Sequence, residues 1–244
     1  MKISITLFVL IFIISTGCSK TDKNSQNSEP KSDQKTEQKT DQTKSVPDAG
    51  DKNKIDTTKT PSIEGLTYDI GSEARDLKYD GKISAGAKWK DKNGTNILIL
   101  TVTEIKTKGD KRSAEIFAYN YIVDGGSNKL LWKMYDFIKD CEFDVTLNFI
   151  ENSLTITDED NNGIGESTIL YKMGCRSDVS PVDMKLIMHE GETKYAIRGN
   201  TRVEIKGQDP IGGEMNIDKS FESAPKELLR YAKAQWDKYR VEKY

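Results

Sequence analysis

The chain has 244 residues and carries 37 Lys and Arg against 39 Asp and Glu, a formal net charge of −2 at pH 7. Nucleic-acid binding of the usual kind depends on a strong positive excess, so this balance argues against a nucleic-acid partner. The single histidine, His189, makes a histidine-based metal centre or a Ser/His/Asp hydrolase hard to build.

Residues 1–18 predict an export signal that ends in a lipid anchor. Lys2 precedes an apolar run over residues 3–14, which is shorter than the roughly 20 residues a membrane-spanning helix needs and is typical of a cleaved signal. Small residues before Cys18 resemble the bacterial lipobox, in which the cysteine receives acyl chains such as palmitate and anchors the mature protein to the membrane. Ser19 resembles the residue found in lipoproteins of the outer membrane. The alternative is an ordinary secretory signal.

Residues 19–62 predict a disordered polar tether. Only Val46, Ala49 and Ile55 are apolar among these 44 residues, too few to offset the chain entropy lost on folding. A flexible chain of this length reaches roughly 35–40 Å, enough to hold a domain clear of the lipid headgroups. The remaining residues, 63–244, are expected to form a single domain.

From Gly81 onward the sequence predicts consecutive β-hairpins. Runs of β-forming residues are separated by turn chemistry such as the Asn-Gly at 93–94 and the Gly-Gly at 125–126. We expect a mainly β fold, an antiparallel meander that closes as a barrel or packs as a sandwich. The predicted strands cover residues 84–90, 96–106, 113–123, 129–138, 143–150, 153–157, 167–174, 182–189 and 194–205.

Alternation is cleanest between Phe137 and Phe149. Apart from Lys139 the odd positions are apolar, Phe137, Cys141 and Phe143 among them, which predicts a buried face. The even positions carry four carboxylates and predict a solvated face. An acid/base or metal cluster is the alternative for these four, Asp136, Asp140, Glu142 and Asp144.

The chain is predicted to end in one helix, from Ala224 to about Glu242. Ser223 can cap it, and Pro225 suits its first turn. Its apolar stripe, typical of a helix packed on a core, comprises Leu228, Tyr231, Ala232, Trp236 and Tyr239.

The loop from Asp158 to Glu166 places side-chain oxygens at positions 1, 3, 5 and 9 and a glycine at position 6, the spacing by which a tight loop wraps Ca²⁺. Position 12 is Ile169 rather than Glu, so the loop is not an EF-hand; it resembles the calcium hairpins of integrin-type propeller repeats. We expect a structural ion with a dissociation constant on the order of 10⁻⁴–10⁻³ M, and a metal-free Asn/Gly turn is the alternative. The expected ligands are Asp158, Asp160, Asn162, the carbonyl of Ile164, and Glu166.

Two cysteines remain besides Cys18. Cys141 and Cys175 both lie in predicted strands, and an oxidising compartment favours a disulfide between them. The alternatives are two separate buried thiols, or a reactive thiol beside His189.

Several segments together resemble a family of bacterial envelope proteins assigned to surface polysaccharide biosynthesis. The resemblance implies an envelope location and a role in making or displaying lipopolysaccharide or another surface glycan, and it carries over no catalytic residue. It also implies that the two cysteines and the Asp/Asn loop form a structural core. The matching segments are 131–137, 139–144, 158–166, 175–181, 185–188 and 194–199.

We therefore expect a lipid-anchored accessory or binding protein of the outer membrane, acting on surface polysaccharide and stabilised by calcium. Aromatic side chains offer faces for stacking on sugars, and the expected glycan contacts are Trp89, Trp132 and Tyr135. The alternatives are an adhesion or structural lipoprotein that binds envelope or host proteins and, behind it, a glycan-active enzyme using paired carboxylates.

Overall fold

The computed structural model describes residues 63–244. The signal segment, the lipidation site Cys18 and the tether, all predicted within residues 1–62, lie outside the described residues. In chain order the strands are β1 (Glu64–Thr67), β2 (Lys82–Asp91), β3 (Gly94–Val102), β4 (Lys106–Lys108), β5 (Lys111–Asp124), β6 (Ser127–Cys141), β7 (Asp144–Phe149), β8 (Thr155–Thr157), β9 (Glu166–Arg176), β10 (Asp183–Glu190), β11 (Thr193–Asn200), β12 (Arg202–Glu204), β13 (Ile211–Gly212), β14 (Met215–Ile217) and β15 (Val241–Lys243). The helix α1 is Lys226–Tyr239, and two short 3-10 helices are Glu73–Asp76 and Lys219–Glu222.

These strands form two antiparallel six-stranded sheets and a small third sheet. The first sheet has the order β1-β2-β3-β5-β4, with β6 also paired to β5. The second has the order β14-β11-β10-β9-β7, with β8 also paired to β9. The third joins β13, β12 and β15, of which β12 and β15 run parallel. The prediction of a mainly β antiparallel fold with one C-terminal helix is confirmed.

The two large sheets face each other across a shared core. Trp89, Leu100 and Met134 of the first sheet pack in one apolar cluster with Ile169 and Ile187 of the second. The sheets are separate hydrogen-bonded units, so the arrangement is a sandwich rather than a closed barrel.

The outer face of each sheet is also covered. The helix α1 packs Leu228, Ala232 and Trp236 against the second sheet. Residues 70–77 pack Ile70 and Leu77 against the first sheet, beside Phe117 and Tyr119 among others. Because both faces of the central strands are buried, β3 carries four consecutive buried apolar residues instead of an alternating pattern.

The helix is shorter than predicted at both ends. It begins at Lys226 after Pro225, and it ends at Tyr239 rather than near Glu242. The last residues instead form β15, because Glu242 lies beside β12 in the third sheet and accepts hydrogen bonds from Lys172 and Arg176. No helix among residues 63–244 is long and apolar enough to cross a membrane.

The predicted buried face from Phe137 to Phe149 is wrong in part. Phe137 is 47% exposed and Phe143 is 52% exposed, whereas Cys141 and Phe149 are buried as expected. The alternation does not continue through this stretch, because the β5–β6 register shifts next to Asp140, whose φ of 53° lies in the left-handed region. Phe137 therefore faces outward and Cys141, on the other side of the shift, faces inward, whereas Phe143 lies in the bend between β6 and β7.

Candidate functional site

The acidic loop connects β8 to β9, two antiparallel neighbours, as the sequence predicts. Its tight turn needs left-handed backbone at Asn161, with φ 59°, and at Gly163, with φ 85°. Two carboxylates fix the turn from inside: Asp158 Oδ2 accepts from the Gly163 N–H at 3.1 Å, and Asp160 Oδ1 accepts from the Asn162 N–H at 3.1 Å. The loop thereby gathers its acidic side chains on one side.

Three carboxylates converge in this loop. One oxygen each from Asp158, Asp160 and Glu166 lies within 4.8 Å of the others. Glu166 is fully buried, and its Oε2 accepts from the Thr157 hydroxyl at 3.0 Å and from the Glu159 N–H at 2.9 Å. Its Oε1 and the Asp158 Oδ1 are buried without a hydrogen-bond partner among the described residues.

The Lys92 ammonium reaches the loop and donates to the Asn162 carbonyl, but it does not pair with the carboxylates of this cluster. None of its three carboxylates forms an ion pair within residues 63–244. Burial, reinforced by the nearby Asp160 and Asp158 carboxylates, raises the pKa of Glu166 to about 7. Buried carboxylate oxygens of this kind require a proton, a bound water or a cation, and an all-oxygen donor set suits a hard divalent cation rather than zinc.

The two other predicted ligands brace the loop. Asn162 Oδ1 accepts from the Ile164 N–H at 2.7 Å, and the Asn162 amide group donates to Asp160 Oδ2 at 3.0 Å and to Glu190. Their roles as metal ligands, through the Asn162 side chain and the Ile164 carbonyl, stay predictions.

The first sheet forms hydrogen bonds with this loop, and the sequence does not predict them. Asp91 Oδ2 accepts from the Gly165 N–H at 2.9 Å and from Trp89 Nε1 at 2.9 Å, and the Lys92 N–H donates to the Gly163 carbonyl at 3.0 Å. A Cβ at Gly165 would lie only 2.6 Å from Trp89 Nε1, so glycine is required there. The sequence marks the residues after Asp91 as a turn, but no local signal indicates what that turn touches.

A second link between the sheets is the disulfide between Cys141 and Cys175, whose Cα atoms are 5.7 Å apart. The predicted pairing is confirmed. It joins the end of β6 in the first sheet to β9 in the second. The acidic loop holds the other end of β9 at Glu166, about 30 Å away along an extended strand. We call the loop and the disulfide the two inter-sheet links of β9.

The three predicted glycan contacts lie in different surroundings. Trp89 is 2% exposed and offers no ring face to a sugar, because it is part of the core between the sheets. Trp132 is half-buried and stacks on His189, with ring centroids 3.9 Å apart. Tyr135 is 49% exposed, and its hydroxyl donates to Glu115 Oε1 at 2.8 Å. Of the three, Tyr135 presents an open ring on the surface.

The four carboxylates of the enzyme alternative do not form an acid/base pair. Asp136 accepts from Lys185 Nζ at 2.6 Å and from the Tyr171 hydroxyl at 2.8 Å. Burial favours a higher pKa for Asp136, but these hydrogen bonds outweigh it and lower the pKa. The other three are exposed side chains around the turn from β6 to β7, Asp140, Glu142 and Asp144.

His189 is buried against Trp132, and its Nδ1 lacks a hydrogen-bond partner among the described residues. Burial, followed by the charge of Lys194, lowers the pKa of His189 to about 3. Because the pKa of His189 is lower in the folded state than its ordinary value of 6.5, the unfolded state binds more protons as the pH falls. The contribution of neutral His189 to the free energy of unfolding is therefore present above pH 6.5 and is lost towards pH 3.

Replacing His189 with Phe is expected to remove this acid sensitivity while keeping a ring on Trp132. Between pH 7 and pH 5.5 the wild-type free energy of unfolding should fall by about 1.3 kcal/mol more than that of His189→Phe. Urea unfolding of both proteins at each pH measures the difference, in which titrating groups common to both proteins cancel. An equal fall in the free energy of unfolding of the two proteins between pH 7 and pH 5.5 would contradict the lowered pKa of His189.

The fold and the site together define a disulfide-bridged β-sandwich with an acidic hairpin loop at the junction of its sheets. No family model, curated protein or solved structure matches the chain.

Proposed function

We propose that this protein is a non-enzymatic, lipid-anchored protein of the bacterial outer membrane with an accessory or binding role in surface polysaccharide biosynthesis. Cys18 attaches it to the membrane, the tether at 19–62 spaces it from the lipid, and a calcium ion stabilises the domain. The ligands of that ion are Asp158, Asp160, Asn162, the Ile164 carbonyl and Glu166.

The observation that carries the proposal is the acidic cluster in the β8–β9 loop. Its three carboxylate oxygens lie within 4.8 Å of one another, and two buried oxygens, on Asp158 and Glu166, lack hydrogen-bond partners among the described residues. An oxygen-only site with three charged ligands binds calcium at about 10⁻⁴–10⁻³ M, which suits an extracellular module. The disulfide fits the same oxidising compartment.

Two further features support the polysaccharide role. Residues 130–199 resemble envelope proteins assigned to surface polysaccharide biosynthesis, and they include both cysteines and the acidic loop. Tyr135 lies in the same stretch and exposes about half of its side chain. Exposed aromatic rings with one polar end are frequent at binding surfaces.

The test is the lipopolysaccharide and capsule profile of a strain that lacks this gene. We expect an altered profile that wild type restores and that Asp158→Ala/Asp160→Ala does not. Glu142→Ala/Asp144→Ala, which removes two exposed carboxylates outside the loop, is the matched control and should restore the profile. Protein levels from all strains are compared by immunoblot.

An unchanged profile in the deletion strain would contradict the polysaccharide role and favour an adhesion or structural lipoprotein. Restoration by Asp158→Ala/Asp160→Ala would contradict the requirement for calcium. Loss of membrane association in Cys18→Ala tests the anchor in the same strains, because one cysteine carries all of the predicted lipid.

A further inference from the structure

The outer face of the first sheet has an open cleft where β5 and β6 pass beyond the cover of residues 70–77. Its volume is about 400 Å³, within the range of small-ligand sites. We call it the outer cleft and define it by the five side chains that the argument uses: Lys106, Glu115, Tyr135, Phe137 and Lys139.

The floor of the outer cleft is a row of stacked aromatic rings. The Tyr135 ring lies 5.0 Å from Phe117 and 5.5 Å from Phe137, with interplanar angles of 29° and 24°. Phe117, the cross-strand neighbour of Tyr135, is buried, whereas Tyr135 and Phe137 are each about half exposed. Two adjacent, partly exposed aromatic rings, fixed by stacking and by the hydrogen bond from Tyr135 to Glu115, form a preorganised apolar surface.

The rim of the outer cleft is positively charged. Lys106 and Lys139 line it, and neither ammonium group forms an ion pair with any residue between 63 and 244. Glu115 is the one acidic side chain along the described lining, and it accepts the Tyr135 hydroxyl hydrogen bond. Two free cations beside an aromatic floor select a ligand that has both a flat apolar face and a negative group.

We propose that the outer cleft binds an acidic sugar residue of a polysaccharide. The C–H face of the sugar ring stacks on Tyr135 and Phe137, and its carboxylate or phosphate group pairs with Lys106 and Lys139. This inference rests on the proposed function and adds to it the position of the glycan site and the charge of its ligand. A neutral lipid chain would leave both lysines without a role.

Isothermal titration calorimetry of the full-length protein in detergent tests the inference with three probes: a galacturonic acid trimer, mannose 6-phosphate and a neutral galactose trimer. We expect at least one acidic probe to bind about tenfold more tightly than the neutral trimer, and the tighter acidic probe identifies the negative group. Phe137→Ala should weaken this binding about tenfold through loss of the stacking face. Lys106→Gln/Lys139→Gln should abolish the preference for the acidic probe.

Phe143→Ala is the matched control, because Phe143 is also about half exposed and lies six positions along the chain but outside the outer cleft. Its affinity should equal that of wild type. Circular dichroism and unfolding midpoints show whether each variant is folded. Lys106→Gln/Lys139→Gln alters exposed side chains alone, so it still tests the inference if Phe137→Ala unfolds.

Three results would overturn the glycan site: no binding of any probe at about 10 mM, equal affinity for acidic and neutral probes, or equal weakening by Phe143→Ala and Phe137→Ala. An altered glycan profile in the deletion strain, together with any of these, would leave the proposed function standing and remove the outer cleft from it. Acidic-probe binding together with an unchanged profile would support the cleft and contradict the biosynthetic role.

Discussion

Replacing both cysteines with alanine is expected to lower the free energy of unfolding by about 4 kcal/mol, the largest single effect we predict. The bridge between Cys141 and Cys175 closes a loop with a sequence separation of 34, and breaking it returns conformational entropy to the unfolded chain. It also releases the end of β9 from the first sheet. Urea unfolding of wild type and of Cys141→Ala/Cys175→Ala at pH 7 measures the difference.

Reduction of wild type with dithiothreitol provides the control for the double variant. The reduced wild type and the untreated variant should unfold at closely similar urea concentrations, and dithiothreitol should leave the variant unchanged. A loss below about 1 kcal/mol in both would mean that the unfolded chain is already compact between these positions.

Calcium is expected to stabilise the domain by about 2.7 kcal/mol when its concentration is about 100 times the dissociation constant. For a domain of this size, that gain should raise the midpoint of thermal unfolding by about 5–10 °C relative to protein in EDTA. The reason is the loop cluster of Asp158, Asp160 and Glu166, in which a cation replaces like-charge repulsion with direct coordination. Differential scanning calorimetry over a calcium series measures the shift.

Glu166→Gln separates metal binding from simple damage to the loop. Its remaining side-chain oxygen can still accept from Thr157 and the Glu159 N–H, while the amide group removes one buried negative charge. This variant should match or exceed wild type in EDTA and should lose the response to calcium. Glu192→Gln, in an exposed turn, should keep that response. A Glu166→Gln protein that calcium stabilises as much as wild type would contradict the site.

Local patterns were sufficient for the class of fold and for much of the acidic loop. Turn residues and strand-forming runs indicate the hairpins, and the oxygen spacing from Asp158 to Glu166 predicts a group of carboxylates that the structure brings together. The pairing of Cys141 with Cys175 followed from their placement in strands of an oxidised protein. Each of these signals lies within a few residues of the feature it predicts, or depends on a very small set of possible partners.

Features that depend on long-range packing were beyond such reasoning. The contact of Asp91 with the Gly165 N–H joins residues 74 positions apart, and nothing near Asp91 marks it. Phe137 lies in the alternating pattern but faces outward, because a register shift interrupts the strand near Asp140. Periodicity predicts that one face is buried, but the neighbouring layers determine which face.

The two inter-sheet links of β9 have a consequence for when the chain can complete its folding. Thiols stay reduced in the cytosol, and a calcium site with a dissociation constant on the order of 10⁻⁴–10⁻³ M binds little where calcium is scarce. The roughly 4 kcal/mol of the disulfide alone is a large share of the whole stability of an ordinary domain. On the proposed export route, a newly made chain would lack both contributions in the cytosol, and its two sheets would be held together fully only after translocation.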